Sequence, residues 1–188
     1  MRRWCDDYLS QSPKWEITRH ANTHILVDGI WLDSDHCLIL YRDSDLKTTI
    51  YYSFAETEDE YAIIKDLQAL KTMRLRISSF TSDGSEDIIR AIKYCYPHID
   101  RQRCVVAYPT PKNISWVRRT YIHIKRALPN MFKYIDNPSI PNNTNSLESF
   151  FGHLNDNLRI HRGMSIEHRQ NFIKWYLFFC NEKKKKDR

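Results

Sequence analysis

Long apolar segments, a secretory signal and paired cysteines are all missing from this chain of 188 residues. No apolar run is long enough to span a bilayer, and the start, MRRWCDDYLSQSPKW, lacks the apolar core of a signal peptide. The five cysteines are odd in number, scattered and never spaced as Cys-x-x-Cys, which argues against a disulfide framework or a zinc site. These absences predict a soluble, cytoplasmic protein without a membrane partner.

Positive charge and aromatic residues are what the chain does contain. Its formal net charge is +6, its pI is about 9.0, and aromatic residues make up 13% of the sequence. A basic, aromatic-rich surface suits a polyanion such as nucleic acid, although many unrelated proteins are this basic. The closing KKKKDR run is most simply a solvated helix end.

The hydrophobic pattern changes period along the chain and predicts an α/β protein. Three β-branched, aromatic segments at 24–32, 36–43 and 48–54 are separated by turn-prone residues and indicate an antiparallel meander. Helical spacing then alternates with further strands at 75–84 and 103–108, and from residue 113 the chain reads as helical. We therefore expect a mixed five-stranded sheet, with three antiparallel strands followed by two parallel ones, flanked by helices.

Two aspartates are predicted to meet in this sheet. The fourth strand follows a helical crossover, so it should run parallel to its neighbour; beside strand 1, it would bring Asp83 next to Asp28. Neighbouring strands lie about 4.8 Å apart, and two carboxylates that close repel each other unless a cation lies between them. Each residue also has an ordinary explanation. Asp28-Gly29 could form a hairpin turn, and Asp83 could simply precede a helix.

A third acid, Glu148, lies in the segment PNNTNSLESFFGHL at 141–154. Its ordinary role would be in an approximate capping box, with Asn145 at the N-cap and Glu148 at the third helical position. Together, two strand aspartates and a helix glutamate also form a set that could bind two Mg²⁺ ions for phosphodiester chemistry, because carboxylate oxygens suit this ion. The capping and metal-binding roles are compatible.

A family resemblance rests on several segments taken in order: LVDGIWL, LILYRDSD, TSDG, YPHIDRQRCVV, NNTNSLESFFGHL and HRGMSIEHRQNFIKWYL. Together they resemble DDE transposases of bacterial insertion sequences, with mutator-type (MULE-like) proteins as the nearest group. The resemblance runs from about Trp15 to the last helix. It implies an RNase H-like catalytic core that cuts and joins DNA at transposon ends.

The resemblance also implies particular residue roles. The catalytic and metal-binding triad falls on Asp28, Asp83 and Glu148, with two Mg²⁺ or Mn²⁺ ions as the only implied cofactor. The basic residues Arg159, His161 and Arg162 would lie near DNA, although a solvated loop explains them equally well. The expected partners are transposon ends and target DNA, the expected location is the nucleoid, and a homodimer is an open alternative.

The sequence departs from the family in two ways, and the second predicts a shortened protein. Ala107 stands where relatives usually carry a histidine, and most of the helical insertion before the glutamate helix is missing, with a join near 107–115. We expect an irregular segment at 1–22, a catalytic core at 23–182 and a basic tail at 183–188. No separate DNA-reading domain is expected before Asp28. Such a form should fold but should not transpose alone.

Three other interpretations remain open at this point. The chain could be an RNase H-like nuclease that cuts without strand transfer, or a catalytically silent DNA-binding remnant or repressor. A basic α/β domain without any role on nucleic acid is the simplest alternative, but it leaves the paired strand aspartates unexplained.

Overall fold

The computed structural model describes residues 9–14, 17, 22–106, 114–161 and 163–187, with the backbone alone at 114–119 and at 123. Five strands and six helices lie entirely within these residues. The strands are β1 (Thr23–Trp31), β2 (Cys37–Asp43), β3 (Thr49–Ala55), β4 (Ile77–Ser82) and β5 (Asp100–Arg103). The helices are α1 (Glu60–Thr72), α2 (Glu86–Cys95), α3 (Ile114–Met131), α4 (Lys133–Asp136), α5 (Asn145–Ile160) and α6 (Ile166–Lys186).

The strands form one mixed sheet in the order β3-β2-β1-β4-β5. β1 pairs with β2, and β2 with β3, in antiparallel fashion, whereas β4 lies parallel to β1 and β5 parallel to β4. Each parallel pair is joined through a helix, as a parallel connection requires. The predicted fold class, a mixed five-stranded RNase H-like sheet with flanking helices, is confirmed.

Two apolar layers cover the two faces of the sheet. On one face, alternate residues of β1 and β2 pack against α1 and α2; on the other face, the intervening residues pack against α5 and α6. On β1, Ile25 and Val27 belong to the first layer and Leu26 to the second. The face to which a residue of β1 points therefore follows from its position in the strand.

The predicted position of the fifth strand was wrong. The sequence favoured 103–108, but β5 covers Asp100–Arg103, and residues 107 and 108 lie outside the described part of the chain. The pairing of Ser82 with Arg103 is the last of the β4–β5 ladder, and Val105 N–H instead donates to the carbonyl of Asn142 at 3.1 Å. Because β5 reads DRQR, β propensity could not identify it.

The helical region after residue 113 has the predicted amphipathic character. The buried stripe of α5 consists of Leu147, Phe150, Phe151 and Leu154, with Leu158 packed beside it. In α6, Ile173 and Leu177 are buried against the same face of the sheet. Among the described helices, none combines the length and apolar character needed to cross a membrane.

Candidate active site

The carboxyl-terminal edge of the two central parallel strands brings the predicted aspartates together. β1 continues through Asp28-Gly29 as far as Trp31, so the alternative of a hairpin turn at this dipeptide is wrong. The β1–β4 ladder ends with Val27 opposite Ser82. Asp28 and Asp83 are therefore the next residues along two adjacent parallel strands, as the sequence predicted.

Asp28 is a half-buried acid with few groups that stabilise its charge. It points to the face of the sheet that carries Leu26, and one carboxylate oxygen accepts a hydrogen bond from Gly29 N–H at 2.9 Å. Burial, together with the negative charges of Asp83, Glu58 and Glu148, raises the pKa of Asp28 from its ordinary value of 3.8 to about 7. The Asp28 carboxylate is therefore close enough to three other acids to be affected by their charges.

Asp83 forms the turn that leads from β4 into α2. Its carboxylate accepts a hydrogen bond from Ser85 N–H at 2.9 Å, which holds the chain where the helix begins. The next residue, Gly84, has φ of +99°, and a Cβ atom there would collide with the side chain of Arg103. The positive φ therefore favours glycine beside Asp83, and a side chain there would also displace Arg103.

Glu148 lies in the first turn of α5, but not at the predicted capping position. Thr144 is the N-cap residue, so Glu148 is the fourth residue of the helix, and the Asn145 capping box is wrong by one position. The hydroxyl of Thr144 donates to the Glu148 carboxylate at 3.3 Å, while the Glu148 side chain is exposed. The carboxylate is thus held at the helix start and still accessible to solvent.

Gly152, one turn further along α5, has open space around it. A Cβ atom there would meet no described heavy atom within 4 Å. No described part of the protein therefore packs so closely against Gly152 that it would require a glycine there. The surface beside Glu148 is open.

A fourth acid, Glu58, was missed by the sequence analysis. It lies in the loop between β3 and α1, and a Cβ atom on Gly29 would be only 2.5 Å from a carboxylate oxygen of Glu58. Burial, together with the charges of Asp83 and Asp87, raises the pKa of Glu58 to about 7. Successive residues of a strand direct their Cβ positions to opposite faces of the sheet. Glu58 lies where a Cβ atom of Gly29 would be, so it is on the other side of β1 from the Asp28 side chain.

This edge has the donor chemistry of a divalent-metal site. Hard carboxylate oxygens are the preferred ligands of Mg²⁺, and a cation would relieve the repulsion that raises the pKa of Asp28. In the described residues, however, no three His, Cys, Asp or Glu side chains are grouped closely enough to hold an ion. Asp28, Asp83 and Glu148 fit the chemistry of the ion, and coordination would require their carboxylates to draw closer.

The predicted DNA-contacting residues lie at the far end of α5. Arg159 is eleven residues after Glu148, which corresponds to about 16 Å along a helix axis. Its guanidinium is exposed and lies 3.9 Å from the Asp156 carboxylate, and the His161 ring lies 5.1 Å from the Phe172 ring. Arg162 lies outside the described residues. An exposed pair of this kind contributes little to stability, so Arg159 is available to a phosphate.

Comparisons with known proteins give structural neighbours only. No protein-family model matches the chain, and no curated protein matches it. Among solved structures, it is similar to a chain of the simian T-cell lymphotropic virus intasome in complex with PP2A regulatory subunit B56 gamma. The identity is 20% and the TM-score 0.37, over 74% of this chain and 51% of that one. The protein thus spans about half the length of this neighbour.

Two further neighbours are structures of the HTLV-2 integrase catalytic core domain in complex with magnesium. The trimeric form is 16% identical with a TM-score of 0.36, covering 70% of this chain and 84% of that one. The dimeric form is 15% identical with a TM-score of 0.35, covering 68% and 82%. Similarity at this level does not extend to activity.

Proposed function

We propose that the protein is the catalytic core of a DDE-type polynucleotidyl transferase, a transposase that cleaves and joins DNA at the ends of a mobile element. One observation carries the proposal. The parallel pairing of β1 with β4 ends at Val27 and Ser82, which sets Asp28 beside Asp83, and the charge of Glu148 reaches Asp28 from α5. The resemblance of the sequence segments to DDE transposases of insertion sequences adds independent support.

Asp28, Asp83 and Glu148 would hold two Mg²⁺ or Mn²⁺ ions in this proposal. When bound, such ions activate the attacking water or 3′-hydroxyl and stabilise the leaving oxygen. The role of the chain is to hold the carboxylates in place. Asp83 is fixed by Ser85 N–H, and Glu148 by the Thr144 hydroxyl, at the edge where the strands end.

Binding of DNA would depend on positive charge. The net charge of +6 and the exposed Arg159 favour contacts with phosphates, which are independent of sequence and weakened by salt. The opposite end of α5 carries Glu148. A DNA strand lying along this helix would therefore contact Arg159 through a phosphate at one end and reach the acids at the other.

The test is a plasmid-nicking assay with Mg²⁺ or Mn²⁺, comparing wild type with Glu148→Gln. The matched control is Glu167→Gln, since Glu167 is also in the first turn of a helix, α6, and is exposed. We expect Glu148→Gln to reduce nicking by about 100-fold or more, because one position for metal-assisted charge stabilisation is lost. Glu167→Gln should nick like the wild type.

The same reaction also contains a pre-cut DNA end, and its joining to the plasmid is measured. This measurement distinguishes a transferase from a nuclease and from a silent DNA-binding remnant. Joined product that disappears in Glu148→Gln supports a transferase, whereas nicking alone supports a nuclease. Equal nicking by wild type and Glu148→Gln would contradict the assignment of the acids. DNA binding with no cleavage by any variant would indicate a silent DNA-binding remnant.

A further inference from the structure

A second candidate site lies on the other face of the sheet from Asp28. It is a cavity of about 290 Å³ between α2, the ends of β4 and β5, and α3. Arg101 pairs with Phe80 in the β4–β5 ladder, and Phe80 belongs to the apolar layer under α1 and α2. Because paired residues point to the same face, Arg101 is on the opposite side of the sheet from the Asp28 side chain.

Arginine dominates the charge of this cavity. Four arginines, but a single acid, Glu86, line its wall; the arginines are Arg90, Arg101, Arg103 and Arg126. Some of this charge is already compensated. Arg90 contacts Glu60 at 2.7 Å and Asp87 at 2.5 Å, and Arg126 contacts Glu86 at 3.2 Å.

Arg101 is different from these surface pairs. Its Nε and Nη1 atoms are buried and have no hydrogen-bond acceptor within the part of the chain that the structure describes. The guanidinium of an arginine keeps its positive charge in proteins, so it cannot avoid this cost by becoming neutral. Buried N–H donors that lack acceptors are costly, and an anion or another acceptor in the space in front of Nε and Nη1 would remove that cost.

The shape and chemistry of the cavity define the ligand. A guanidinium presents its N–H donors in a planar fork that matches the oxygens of a phosphate group. The remaining wall includes apolar side chains of Ile89, Ile92 and Ala127, which suit a flat, weakly polar body such as a nucleobase. Ligand pockets span about 300–1,000 Å³, so this cavity of about 290 Å³ is at the lower limit and excludes duplex DNA.

We propose that this cavity binds a phosphate ester of mononucleotide size, with its phosphate against Arg101 and its base against the apolar wall. The ester could be a free nucleotide or the 5′-phosphate end of a single DNA strand, since both present the same chemical group. The site uses none of the acids at the sheet edge and is independent of the proposed catalysis.

The experiment measures binding of deoxyadenosine 5′-monophosphate by calorimetry in EDTA, so that divalent ions do not contribute. Deoxyadenosine and inorganic phosphate are titrated separately. We expect the wild type to bind the monophosphate at least about tenfold more tightly than deoxyadenosine, because charged hydrogen bonds to the phosphate are the main contribution. Arg101→Gln should weaken binding by about tenfold or more.

The matched control is Arg76→Gln, because Arg76 is exposed and precedes β4 at the opposite end of that strand. It should bind like the wild type. Equal affinity of Arg101→Gln and wild type, equal affinity for nucleoside and nucleotide, or no binding of the monophosphate at millimolar concentration would each overturn the proposal.

Two further measurements keep the test decisive. If Arg101→Gln does not fold, Arg126→Gln replaces it, since Arg126 is a 68% exposed arginine at the same wall. It should also weaken binding, and unchanged affinity would then count against the site. Competition by a 5′-phosphorylated oligonucleotide, but not by its 5′-hydroxyl form, would identify a strand end as the ligand; binding of the mononucleotide alone would identify a free nucleotide.

Discussion

Two carboxylates of this protein, one buried and one half-buried, have opposite surroundings. Asp66, on α1, is 4% exposed and accepts hydrogen bonds from the Tyr41 hydroxyl at 3.2 Å and the Ser53 hydroxyl at 2.5 Å. Asp28, on β1, receives one N–H bond from Gly29 and otherwise faces the charges of other acids. Burial raises the pKa of both groups, but hydroxyl donors oppose the shift for Asp66, whereas neighbouring acids add to it for Asp28.

The difference shows that burial alone does not indicate function. A buried acid surrounded by hydrogen-bond donors can stabilise the fold, because these hydrogen bonds compensate for the hydration that the carboxylate loses on burial. A buried acid surrounded by acids destabilises the fold unless a cation is present. The neighbours of Asp28, rather than its burial, make this edge of the sheet the candidate site.

The largest stability difference should come from removing each carboxylate in turn. Asp66→Ala leaves the Tyr41 and Ser53 hydroxyls without their acceptor and should lower the free energy of unfolding by about 1–3 kcal/mol. Asp28→Ala removes a repelling charge and, without metal, should change it by less than about 0.5 kcal/mol or raise it. Urea unfolding at pH 8 in EDTA measures both. If Asp28→Ala were as destabilising as Asp66→Ala, the two acids would have the same structural role.

A second effect is expected in the pH dependence of stability. The pKa values of Asp28 and Glu58 are about 7 in the folded protein, above their ordinary values of 3.8 and 4.5. The folded state therefore holds protons that the unfolded state has lost, and this contribution to stability decreases as pH rises from about 4 to about 7. Urea unfolding across this range, in EDTA, should show a flatter profile in Asp28→Asn and in Glu58→Gln. Identical profiles in wild type and both variants would contradict these pKa values.

The sequence identified those site residues that interrupt an apolar strand pattern or end it. Asp28 stood out as an acid inside an apolar strand, and Asp83 as the acid at a strand end, and the sheet topology follows from alternating strand and helix periods. Glu58 lies in a loop and adjoins Gly29 only because the chain folds back there, so no local pattern marks it.

The cavity between α2, α3 and the ends of β4 and β5 could not be predicted from the sequence for a related reason. β5 reads DRQR, and its pairing with β4 stabilises it as a strand despite its low β propensity. The residues that align with Phe80 and Ser82 are therefore arginines, Arg101 and Arg103. Their meeting with α2 and α3 is a property of the tertiary structure, and no spacing in the sequence reports it.

The central claim is that the acids at the carboxyl edge of β1 and β4 form a divalent-metal site. Its most direct test is calorimetric titration of Mn²⁺ at pH 8 into wild type, Asp83→Asn and Asp66→Asn, with thermal unfolding of each variant as a check of folding. We predict that the wild type binds Mn²⁺, that Asp83→Asn binds at least about tenfold more weakly, and that Asp66→Asn binds like the wild type. Equal Mn²⁺ affinity in Asp83→Asn and wild type, or no binding by the wild type at millimolar Mn²⁺, would contradict the claim.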